Sequence, residues 1–196
     1  MLVRRVDIDK QAAGLVVGVI DRTGRRVIAH GVSDLKTRRP VDGQTLFEIG
    51  SVTKAFTGLL LADMVERGEV KLDDPVVKYL PPGAVVPERN GKAITLLDLA
   101  THTSGLPRLP DNMPSADPRN PYADYTEAQL DSFLKGHGLT RDIGATYEYS
   151  NLGVGLLGRA LARRGDGDYE TVLRQRVLKP LGLTSTAITL TARWAS

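Results

Sequence analysis

The 196-residue chain contains no cysteine. That excludes disulfides, thiolate metal sites and a cysteine nucleophile. No apolar run approaches the ~20 residues that a membrane-spanning helix needs. Charge of one sign is also missing: 26 Lys and Arg stand against 23 Asp and Glu, for a net +3. The pI near 9.2 therefore reflects a small excess. The basic pairs Arg4-Arg5, Arg25-Arg26, Arg38-Arg39 and Arg163-Arg164 are scattered, which reads as solvated surface and not as a nucleic-acid footprint. No internal repeat, low-complexity tract or metal-ligand spacing is present, so neither a metal nor a cofactor is expected. Met1 to Lys10 is charged and precedes a short apolar stretch, Leu15 to Ile20. No small-residue cleavage pattern follows it. The stretch reads as a strand and not as a secretory leader; the compartment stays open, with the cytoplasm favoured.

Hydrophobic residues make up 41% and charged residues 25%, ordinary for a globular domain with a core. Leu15 to Ile20 and Val27 to His30, joined by Asp21-Arg22-Thr23-Gly24, predict a hairpin with at least one buried strand. Ser51 to Arg67 predicts a helix. Its segment Gly58-Leu59-Leu60-Leu61-Ala62 is apolar nearly all round, the pattern of a buried helix, and Gly68 stops it. Leu72-Asp73-Asp74-Pro75 is a cap signature leading into Val76 to Leu80. Further helices are predicted over Thr95 to Thr101, Thr126 to Lys135, Asn151 to Arg164 and Tyr169 to Leu178. Leu106 to Pro121, with five prolines, reads as irregular loop. One early hairpin and about five helices make an α+β pattern.

Ser51-Val52-Thr53-Lys54 carries candidate chemistry. Serine and lysine three apart share one helix face. A serine hydroxyl needs a base, and an amine with a depressed pKa serves. A helix N-terminus adds a field that favours developing negative charge. The motif alone is weak: on the order of one copy is expected by chance at average usage, and this chain has three. Ser33 to Lys36 lies in polar loop and Ser132 to Lys135 at the end of an exposed-looking helix. Only Ser51 precedes a long apolar helix that would bury Lys54. The alternative reading of Ser51 is a helix cap beside a surface lysine. Tyr149-Ser150-Asn151 is the only Tyr-x-Asn in the chain. It reads either as the cap of the Asn151 helix or as chemistry: a phenol near an ammonium ionises below ~10 and shuttles protons, and an amide holds a carbonyl or a lysine head group.

Phe47-Glu48-Ile49-Gly50-Ser51-Val52-Thr53-Lys54 resembles the active-serine segment of the class C β-lactamase superfamily, which includes DD-peptidases and β-lactamase-like esterases. Gly68 to Pro75 and Leu99-Ala100-Thr101-His102-Thr103-Ser104-Gly105-Leu106-Pro107 resemble the stretches that follow there, and Tyr149-Ser150-Asn151 falls where that family has its Tyr-x-Asn. The likeness runs from about Leu15 to Thr186. It implies acyl transfer from a small-molecule acyl substrate (a β-lactam, D-alanyl peptide or small ester) through an acyl-serine. By the same resemblance Ser51 is the nucleophile, Lys54 and Tyr149 share the acid and base roles, Asn151 binds substrate, and the Ser51 N–H is one oxyanion donor. His102 is structural in that family. Ile143-Gly144 stands where Pro-Gly is common.

The family's catalytic domains are longer. They continue into strands that complete a central sheet and carry a Lys-Thr-Gly or His-x-Gly element. Neither occurs after Asn151. The expectation is one partial β-lactamase-like domain over 1–196, truncated at its C-terminus, with the C-terminal strands of the central sheet missing. Its parts would be a hairpin and loop over 1–50, a helical region over 51–186 and a tail over 187–196. The hairpin would then expose a sheet edge that invites self-association. The alternative to an active serine hydrolase is a catalytically impaired fragment acting as a binding or interaction module, or completed by another chain.

Overall fold

The computed structural model describes residues 1–114, 117, 120 and 122–190. The chain forms two compact units, Met1–Ile49 and Gly50–Ser196.

The first unit opens with a helical turn, Arg4–Ile8, which the sequence reading did not anticipate. Strands β1 (Gly14–Asp21) and β2 (Gly24–Gly31) pair antiparallel, from Gly14 opposite Gly31 to Asp21 opposite Gly24. The Asp21 carboxylate closes the turn by accepting the Thr23 N–H at 2.8 Å. Gly24 has φ +117, which suits glycine. His30 lies 2.7 Å from the Asp7 carboxylate through Nε2. The expectation of a buried strand is corrected. Neither strand has a buried residue, and Ile20, Val27 and Ile28 are exposed. Among the described residues this sheet has two strands only, so each strand has one neighbour and one open edge.

The second unit is helical. A 3-10 turn, Gly50–Val52, leads into α1 (Thr53–Glu66). A second such turn, Val76–Tyr79, precedes α2 (Leu96–Ala100), α3 (Glu127–Gly136), α4 (Asn151–Arg164) and α5 (Tyr169–Leu173), and α5 runs on into a wider turn over Arg174–Leu178. The fold is thus α+β, a helical region with an N-terminal hairpin. Helix α4 packs against α1, α2, α5 and the 76–79 turn. Leu60, Met64, Leu96, Leu99, Leu156 and Leu161 are among the fully buried core side chains.

Local chemistry sets the helix ends. Thr95 with Asp98, and Thr126 with Gln129, form capping boxes at α2 and α3; Ser150 and Asp168 cap α4 and α5. Each oxygen satisfies an N–H that the first turn leaves unpaired. At the other end α1 closes with Glu69 N–H on Met64 O (2.9 Å) and Gly68 N–H on Val65 O (2.9 Å), with Gly68 at φ +68. This is a Schellman closure, which needs a left-handed residue. Helix α2 closes the same way, through Thr103 N–H on Asp98 O (2.8 Å) and His102 N–H on Leu99 O (3.4 Å). There the left-handed residue is His102, at φ +60.

The expected all-round burial of the Ser51 helix is also corrected. The α-helix starts at Thr53, with Ser51 in the preceding turn. One face, Thr57, Leu60, Leu61 and Met64, is buried. The opposite face, Ala55, Gly58, Leu59 and Ala62, is exposed. Described residues within 106–121 form no helix or strand, while 115, 116, 118, 119 and 121, and positions 191–196 of the expected tail, lie outside the described residues.

Candidate active site

Ser51 sits on the turn that feeds α1, and Lys54 lies one helical step further on. Lys54 Nζ donates to Ser51 Oγ at 3.2 Å. The Tyr149 hydroxyl, 98 residues away, donates to the same oxygen at 2.6 Å. Lys54 Nζ also stands 4.8 Å from the centre of the Tyr149 ring. Ser51 is exposed and Lys54 is half-buried, not sunk in the core. The start of α1 has no side-chain cap, so its first-turn N–H groups point their dipoles toward this end.

Tyr149 is held below its ordinary pKa. The largest cause is the nearby Lys54 amine; the hydrogen bond to Ser51 follows, with a smaller Coulombic contribution from Arg108. A cation beside a phenol favours phenolate, so this phenol is biased toward the form that takes a proton. Asn151 is the first residue of α4. It shares with Lys54 the wall of a cavity of about 520 Å³, which runs between α1 and α4 past Thr57, Gly155, Gly158 and Tyr169. Ser51, Lys54 and Tyr149 are therefore in direct contact, and Asn151 lines the same cavity as Lys54.

What brings Tyr149 to Ser51 is a template formed by residues 102–108. His102 O accepts the Glu148 N–H (2.8 Å), and Arg108 O accepts those of Asn151 (3.0 Å) and Leu152 (3.3 Å). His102 Nδ1 accepts the Ser150 N–H at 3.1 Å. Ser150 Oγ donates to Pro107 O at 2.6 Å and accepts the Gly153 N–H at 2.8 Å. The His102 ring lies 4.7 Å from that of Tyr149. Burial first, and the Lys54 charge second, push the His102 pKa below 6.5. The Ser150 N–H needs the Nδ1 lone pair, which suits a neutral ring. His102 thus holds Ser150 and makes no bond to Ser51 among the described contacts.

The other two Ser-x-x-Lys runs make no such cluster. Ser33 bonds the Arg39 carbonyl at 3.3 Å, and Ser132 and Lys135 are exposed on α3. His137 stacks on Phe133 at 4.7 Å. No group of three or more metal-ligating side chains occurs among the described residues. Sequence reasoning missed Arg108, whose guanidinium lies 5.1 Å from the Tyr149 ring centre. Its only signal was its place directly after Gly105-Leu106-Pro107.

The Beta-lactamase family model matches residues 2–195, and the chain belongs to that family. The chain is 35% identical over 178 residues to the D-alanyl-D-alanine-carboxypeptidase/endopeptidase AmpH of Escherichia coli K12, covering 91% of this chain and 46% of that protein. It is 35% identical over 177 residues to a beta-lactamase of the same organism, covering 89% and 43%. A crystal structure of a beta-lactamase/D-alanine carboxypeptidase from Yersinia pestis, complexed with citrate, superposes with a TM-score of 0.86 at 34% identity, covering 93% of this chain and 52% of that one. The chain spans about half the length of these relatives.

Proposed function

We propose that this chain is a serine hydrolase that works by acyl transfer through an acyl-Ser51 intermediate, on β-lactam, D-alanyl peptide or small ester substrates. The observation that carries the reading is the double contact of Ser51 Oγ with Lys54 Nζ and the Tyr149 hydroxyl. In this scheme the Ser51 proton passes to the Tyr149–Lys54 pair as Oγ bonds to the substrate carbonyl carbon. The carbonyl oxygen takes the electron pair and is stabilised by the Ser51 N–H. Collapse breaks the bond to the leaving group, which takes the proton back from the pair. Water then attacks the ester by the same route in reverse, and Asn151 holds the acylated substrate. Such acid–base assistance contributes ~10²–10⁴-fold, and each oxyanion donor adds ~2.7–4 kcal/mol.

Intact-mass spectrometry after exposure to a β-lactam and to a nitrophenyl ester tests this. The expected result is a single adduct that maps to Ser51 and disappears in Ser51→Ala. A folded protein that forms no adduct and turns over neither compound overturns it.

A second reading, a β-lactamase-like interaction module with impaired catalysis or one completed by another chain, is favoured by exposed apolar surface. The open edges of the β1–β2 hairpin, with Ile20 82% and Ile28 52% exposed, suit pairing with a second copy. Sedimentation equilibrium tests that pairing: the wild type should self-associate and Ile20→Lys/Ile28→Lys should be monomeric. A monomeric wild type rejects it.

A further inference from the structure

We propose that Arg108 is a positioning residue for Tyr149: its guanidinium over the phenol ring, and its carbonyl on the first turn of α4, hold the phenol oxygen against Ser51. The catalytic consequence rests on the acyl-transfer reading above; the coupling between Arg108 and Tyr149 does not.

Two separate parts of one residue converge on the Tyr-x-Asn segment. Arg108 O accepts the N–H groups of Asn151 (3.0 Å) and Leu152 (3.3 Å), two donors that the start of a helix leaves without an internal partner. These bonds fix where the chain enters α4, and hence where Tyr149, two residues earlier, can stand. The side chain then returns over Tyr149, with its guanidinium carbon 5.1 Å from the ring centre. A guanidinium at this distance is attracted to the ring and favours the ionised phenol over the neutral one.

Charged and titratable groups face Tyr149 from several described elements. Lys54 from α1 stands 4.8 Å from the ring centre, and the His102 ring lies at 4.7 Å. Tyr147 packs edge-on against His102. The adjacent carboxylate, Glu148, is paired with Arg141. Tyr149 therefore has two basic side chains beside its ring, Lys54 and Arg108. Only Lys54 also bonds Ser51. Arg108 supplies charge and orientation without competing for the serine oxygen.

Titration of 13Cζ-tyrosine by NMR, with Tyr149→Phe to assign the resonance, reads the coupling without any turnover. In Arg108→Gln the Tyr149 midpoint should move up and the other tyrosine midpoints should stay in place. Arg108→Lys should restore part of the shift, and high salt should narrow the difference between wild type and Arg108→Gln. The acylation rate of Ser51 should fall about two- to fivefold in Arg108→Gln, the size of an exposed cation–π contact. An unchanged Tyr149 midpoint in Arg108→Gln at low salt overturns the proposal. A midpoint that moves in a protein that never acylates supports the coupling and rejects the acyl-transfer reading.

Discussion

Replacing Asp74 with Asn should destabilise the protein at neutral pH and do so less and less as the pH falls. The Asp74 carboxylate accepts the Lys71 N–H at 2.8 Å and the Lys78 ammonium at 2.7 Å, and it also accepts the Tyr79 hydroxyl. It thereby ties the turn after α1 to the 3-10 turn Val76–Tyr79. These partners, with the Lys78 bond the largest cause, lower its pKa from 3.8 to about 2. A carboxylate depressed in the folded state stabilises fully above its unfolded pKa of 3.8, and that stability is lost as pH falls through about 2. At ~1.4 kcal/mol per unit the difference amounts to roughly 2 kcal/mol. The Asp74 side chain is 13% exposed but Lys78 is 56% exposed, so screening trims this to about 1–2 kcal/mol. Urea denaturation followed by circular dichroism, at several pH values between 2 and 7, measures it. The gap between wild type and Asp74→Asn should be full at pH 5–7 and should shrink toward pH 2. A variant as stable as wild type at pH 7, or a gap that does not change with pH, refutes the reasoning.

Other contacts make equally direct predictions. Tyr149→Phe removes the hydroxyl that bonds Ser51 and should slow Ser51 acylation by about 10²-fold or more while leaving the denaturation midpoint nearly unchanged; stopped-flow acylation beside a melt separates the two. His102 accepts the Ser150 N–H only when neutral, and its folded pKa lies below 6.5. Between the folded value and 6.5 the unfolded chain binds more protons, so this contribution is full above 6.5 and is lost as pH falls through the folded value. Exchange protection of the Ser150 amide should therefore decline in mild acid, and His102→Ala should remove that pH dependence. A Cβ at Gly158 would lie 3.2 Å from the Tyr169 ring, and the Tyr169 hydroxyl meets Thr57 Oγ1 at 2.7 Å. Gly158→Val should crowd this ring and cost about 1–3 kcal/mol in urea denaturation.

Much of the local architecture was legible in the residues because it is decided within a few positions. Thr95 with Asp98, Thr126 with Gln129, Ser150 and Asp168 all cap a first turn from three residues away. Gly68 ends α1 through its own φ. Helix α4 spans the predicted Asn151–Arg164. The spacing of Ser51 and Lys54 places them one turn apart without reference to anything distant.

Burial was less legible, because it depends on what lies opposite. An apolar run that reads as wholly buried keeps Ala55, Gly58, Leu59 and Ala62 exposed, since partners meet only the other face of α1. The hairpin likewise matches its predicted strands but stays exposed in a two-stranded sheet.

By itself the sequence determined the approximate extent of most helices, the hairpin turn and three Ser-x-x-Lys runs, of which the one at Ser51 stood apart for the apolar helix behind it. Family resemblance pointed to Ser51 and Tyr149 together, and tertiary structure decided the contact between them. Residues 102–108, ordered by a left-handed histidine at the end of α2, hold 148–152 by five hydrogen bonds. That places Tyr149 on Ser51 and Arg108 over Tyr149. The physical reason is range: a hydrogen bond between residues 98 apart in sequence leaves no periodicity to read.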